Sequence, residues 1–69
     1  MRIEADGRFI RFTDDAGHFD LWPILGVGLM IWPGVPPPQD RAALFAGRYL
    51  WLTESEFRQV ANIIKWSGV

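Results

Sequence analysis

Polar and apolar residues alternate along the first third of the chain, which is the period of half-buried β-strands. Arg2-Ile3-Glu4-Ala5 begins the pattern, and Asp6-Gly7 follows as a hairpin signal of the type I′ kind. Arg8 to Thr13 reads as a second strand, with Ile10 and Phe12 on one face and Phe9, Arg11 and Thr13 on the other. Asp14-Asp15-Ala16-Gly17 supplies a second turn through Asx chemistry and a glycine. His18 to Trp22 is a third strand, in which Phe19 and Leu21 share one face and His18, Asp20 and Trp22 the other. The core is assigned to the Phe19 and Leu21 side.

Beyond Pro23 the pattern changes. Val27 to Trp32 is apolar on both faces, so the strand it predicts is covered twice or meets a partner. Gly26 and Gly28 leave room there for a bulge or a close backbone approach. Pro33 to Gln39 reads as a stiff crossover, with Pro36-Pro37-Pro38 favouring polyproline II. Asp40 can cap a short helical turn over Arg41–Ala46 that stops at Gly47. Tyr49 to Leu52 is a further strand, Leu50 and Leu52 opposite Tyr49 and Trp51.

The last segment carries the sharpest local signal. Thr53-Glu54-Ser55-Glu56 is a capping box, in which Thr53 and Glu56 satisfy each other's backbone N–H groups. Phe57, Val60, Ala61 and Ile64 then follow helical spacing, Ile63 widens the stripe, and Ser55, Gln59 and Asn62 fall opposite. The helix runs to about Trp66, ahead of Ser67-Gly68. The predicted fold class is therefore α+β: a small antiparallel sheet of four to five strands, able to curl into a barrel, with one C-terminal amphipathic helix. One domain spans residues 1–69.

Size sharpens this picture. A chain of 69 residues buries only about 60% of its unfolded surface, and there is no cysteine to staple it. Its mass of core must come from the 49% of hydrophobic residues, four of them tryptophan. Seven basic residues against eight acidic leave a net charge of −1, without the basic excess that marks affinity for nucleic acid or anionic membrane. The uncharged stretch from Leu21 to Gln39 is broken by proline and glycine, so no membrane span is expected. With no signal-peptide pattern either, the expected location is cytoplasmic.

Candidate chemistry is sparse. Ser55 sits in a helix cap and Ser67 near the chain end, which leaves no nucleophile beside the lone His18. Asp14, Asp15 and Asp20 lie near His18, Asp20 on its strand face, yet the three lack calcium-loop spacing, and Asp14-Asp15-Ala16-Gly17 is explained by turn chemistry. No phosphate-binding glycine motif is complete. The expectation is a chain that is not an enzyme, with no cofactor, no metal site and no catalytic residue. Arg8, Phe9 and Arg11 interleave base-stacking and phosphate-holding side chains on one strand, which supports an alternative reading as a single-stranded nucleic-acid binder. The glycine and spacing of an RNA-recognition signature fail after Phe12.

What stands out is apolar surplus. Trp22, Trp32, Tyr49, Trp51 and Trp66, together with Phe9 and Met30, fall on faces opposite those assigned to the core, and one helix covers only one sheet face. Interface centres are enriched in Trp, Tyr and Met. The leading expectation is a small protein-interaction module, whether inhibitor, adaptor or homo-oligomer subunit, with those five aromatic residues as its anchors. Free-standing proteins of this size, phage-encoded inhibitors among them, often act by covering a partner's surface.

Overall fold

A computed structural model describes residues 1–36 and 40–67. The chain forms β1 (Arg2–Asp6), β2 (Phe9–Thr13), β3 (Phe19–Pro23), a 3-10 turn (Ile24–Gly26), β4 (Gly28–Ile31), β5 (Arg41–Phe45), β6 (Arg48–Leu52) and α1 (Glu54–Ser67). The class is α+β, as the pattern predicts. The sheet differs: six strands form two three-stranded antiparallel sheets, β1-β2-β3 and β4-β5-β6, in place of a single sheet of four or five closing into a barrel.

The additional strand is β5. The segment Arg41–Ala46, read from sequence as a helical turn, is instead extended and central to the second sheet. Its helical propensity is overridden by pairing on both sides, Ala42 and Ala43 being fully buried between β4 and β6. Phe45 and Arg48 pair across a two-residue turn in which Ala46 and Gly47 both have positive φ, 51° and 77°. That is the type I′ signature, whose twist matches the flanking strands. Between β1 and β2 the turn sits one residue later than the sequence suggests. Asp6 pairs with Phe9, and Gly7 alone has positive φ, which is the II′ pattern.

Other local signals are realised in place. Asp14 Oδ1 accepts from the N–H groups of Ala16 and His18, both at 2.9 Å. Thr53 Oγ1 accepts from Glu56 N–H at 3.2 Å, and Glu56 Oε1 accepts from Thr53 N–H at 2.8 Å, completing the capping box. Such a cap contributes about 1 kcal/mol. Gly26 permits a close approach: a Cβ there would stand 3.1 Å from the Phe45 ring. The expected polyproline run falls partly on Pro37, Pro38 and Gln39, and the expected helix stop on Gly68, all outside the described residues.

One core joins the two sheets to the helix. Ile3, Ile10, Phe12 and Trp22 come from the first sheet, Ala43 and Leu52 from the second, Ile24 from the 3-10 turn and Val60 from α1. Phe57, Ile63 and Ile64 pack around that set, as their helical spacing predicts. Asp20 and Arg48 bridge the neighbouring margins of β3 and β6 at 3.0 Å. The helix thus covers the inner side of both sheets, and among the described residues no element packs on either outer face.

Candidate functional site

Strand alternation builds the more apolar outer face. In the second sheet, Gly28 and Met30 of β4 share a side with Ala42 and Leu44 of β5 and with Tyr49 and Trp51 of β6. The register aligns them in two rows, Gly28–Leu44–Tyr49 and Met30–Ala42–Trp51. Trp32 follows β4 directly and is fixed by its N–H, which donates to the Asp40 carbonyl.

The aromatic rings of this face meet. Trp32 lies 5.8 Å from Tyr49 at 68° and 6.0 Å from Trp51 at 60°, within the range of edge-to-face contact. Beneath them Ala42 is 0% exposed, although it lies outside the core cluster. Its position between Met30 and Trp51 in the register explains this, because the outer side chains close over it. The rings themselves remain open, Tyr49 and Trp51 at 52% each. Neither row contains a charged residue. Arg41 and Arg48 alternate to the opposite side, where Arg41 pairs with Asp40 and Arg48 with Asp20.

Of the five aromatic residues predicted as anchors, the structure gathers Trp32, Tyr49 and Trp51. Trp22 is a correction: it is 3% exposed and belongs to the core. It pairs with Ile10 in the β2–β3 register, so its side chain lies on the Ile10 face. There it packs edge-on against Phe12 at 5.0 Å and meets Phe45 at 5.8 Å. Phe19 and Leu21, assigned to the core from sequence, take the exposed face instead. A change of one residue in parity exchanges the whole strand between its two sides. Trp66 lies in the last turn of α1, exposed, and its recorded ring contact is with Lys65 rather than with the aromatic cluster.

The residues of the nucleic-acid alternative are placed otherwise. Arg8 is an exposed turn residue whose carbonyl accepts from Ile24 N–H. Phe9 is exposed on the outer face of the first sheet. Arg11 is already engaged, its Nη2 on Asp6 Oδ2 and its guanidinium 4.7 Å over the Phe19 ring. Glu4 stands opposite Arg11 in the register, so this face is charge-balanced. A groove of about 380 Å³ runs beside it, lined by Arg8, Phe9, Pro23 and Leu25 among others.

His18 is an exposed turn residue with Nδ1 3.7 Å from Asp14 Oδ2. Asp20, expected to share its strand face, is held by Arg48. Among the described residues no group of His, Cys, Asp or Glu is arranged to hold a metal ion, and no helix is long and apolar enough to cross a membrane.

Ala42 and Leu44 are the residues of the aromatic face that the sequence reading missed. The available signal was their alternation with Ala43 and Phe45, masked by the helix-compatible composition of Arg41–Ala46. No protein-family model matches the chain, and no match is found among curated proteins or solved structures.

Proposed function

We propose that the chain is a protein-binding module whose contact surface is the outer face of β4-β5-β6, centred on Trp32, Tyr49, Trp51 and Met30. The observation that supports this is a set of mutually packed yet half-exposed rings, free of charge, carried by β6 and the end of β4 on either side of the central strand β5. Aromatic side chains lose little conformational freedom on binding and carry large area, so such a cluster offers an anchor at low entropic cost. Its complement is a partner surface that is apolar at its centre and polar at its rim.

The nucleic-acid reading finds less support. Phosphate recognition requires cations directed at solvent, whereas Arg11, Arg41 and Arg48 each face a carboxylate of the same chain.

Affinity capture from the native host, comparing wild type with W32A/W51A and with the helix-surface variant N62A, tests the proposal. A partner retained by wild type and N62A and lost by W32A/W51A supports it, provided circular dichroism shows all three folded. Truncation of a true anchor costs about 2 kcal/mol or more. A partner held equally by all three places the contact elsewhere.

A further inference from the structure

The two sheets have four margins, and three are guarded. β1 carries Arg2, Glu4 and Asp6 and lies against α1. β3 carries Asp20 and ends in Pro23, and β6 carries Arg48, whose exposed ion pair with Asp20 links the two strands. Charge, proline and cover are the usual protections of a strand edge. Among the described residues β4 has none of them: Gly28-Leu29-Met30-Ile31 is uncharged and pairs on one side only, with β5.

The outward backbone groups of β4 are identifiable. Trp32 N–H donates to the Asp40 carbonyl, which marks Trp32–Asp40 as a hydrogen-bonded pair. Antiparallel alternation then directs the N–H and C=O of Gly28, Met30 and Trp32 toward β5 and those of Leu29 and Ile31 away from it. Among the described residues neither Leu29 nor Ile31 has a backbone partner on that side. Ile31 is also anomalous in burial. It alternates to the inner side of its sheet yet is 57% exposed.

We infer that β4 pairs antiparallel with β4 of a second copy of this chain, about a two-fold axis at Met30. In that register Leu29 and the partner's Ile31 exchange N–H···O bonds in both directions, and the axis repeats the exchange. The side chains are self-complementary on both sides. On the inner side Ile31 is covered by the partner's Leu29. On the outer side Met30 meets Met30, and Trp32 stands opposite the partner's Gly28, which presents no side chain to it. A register shifted by one residue would leave Leu29 and Ile31 facing backbone groups already bonded to β5. The product is a continuous six-stranded sheet whose outer face joins two copies of the Trp32–Tyr49–Trp51 cluster. This pairing does not rest on what the aromatic face binds, and W32A/W51A and the edge variants below report on the two separately.

Sedimentation velocity over a concentration series, with three variants, tests the pairing. Wild type sediments as a concentration-dependent dimer. I31P removes an N–H that no bond among the described residues uses, a position where an edge strand tolerates proline. It gives a folded monomer or weakens the dimer at least about tenfold, equivalent to about 1.4 kcal/mol. If I31P does not fold, I31K is read in its place, since it sets a charge against the partner's Leu29. The chain has no native cysteine, so M30C, on the axis, forms a disulfide-linked dimer under mild oxidation faster than N62C on the exposed helix surface. A wild type that is monomeric at every concentration overturns the inference. So does a dimer that survives the edge variant, or M30C cross-linking no faster than N62C.

Discussion

Trp22 and Trp51 are the same residue type in strands of the same length, and their surroundings give them opposite roles. Trp22 is enclosed by Phe12, Phe45 and the Arg48 guanidinium, which lies 5.6 Å over its ring. Trp51 lies over Ala42 with half its surface in water. Phe/Trp→Ala in a core costs about 3–5 kcal/mol, against a total stability of roughly 3–10 kcal/mol for a chain of this size. Trp22→Ala therefore removes from about a third to all of that stability. Trp51→Ala leaves it within about 1 kcal/mol of wild type. Urea titrations followed by far-ultraviolet circular dichroism measure both, and equal losses would contradict the assignment of the two faces. Sequence could not separate these tryptophans, because both sides of His18–Trp22 carry large apolar groups. Only the pairing with β2 selects one.

At the scale of elements, legibility follows the range of the forces involved. The start and the buried stripe of the helix are readable because its cap, its stripe and its polar side are set within a few residues of one another. The Asx turn at Asp14 is readable for the same reason. β5 is not, since Ala42-Ala43-Leu44 is compatible with helix or strand, and what decides is burial between two neighbours distant in sequence. The aromatic site inherits that limit: its members were nameable as surplus, while their assembly into one cluster depends on β5 lying between them. The turn after β5 also holds the one non-glycine residue with positive φ among those described, Ala46. A left-handed backbone costs an L-residue of this kind on the order of 1 kcal/mol, and asparagine adopts it more readily. Ala46→Asn should raise the urea midpoint without altering its slope. A lower midpoint would show that the turn is not of the I′ kind.

The whole molecule is two consecutive three-stranded meanders sharing one helix and one core. Neither meander has an apolar interior of its own, because Trp22 needs Phe45 and the Val60 side of α1 closes over both. Thermal or urea unfolding should accordingly be a single transition. Tryptophan fluorescence, which samples both sheets, should coincide with circular dichroism. Two separated transitions would mean that each meander melts alone.

The order of strands has a kinetic consequence. Each strand pairs only with its neighbour in sequence, β1 with β2, β2 with β3, β4 with β5 and β5 with β6. No ladder waits for a distant segment to arrive, and the longest span to be closed within a sheet is that between β4 and β5. The entropy of chain closure is thus met in small steps. Despite its β content, the chain should on topological grounds fold faster than a β protein of equal size whose strands pair across long separations.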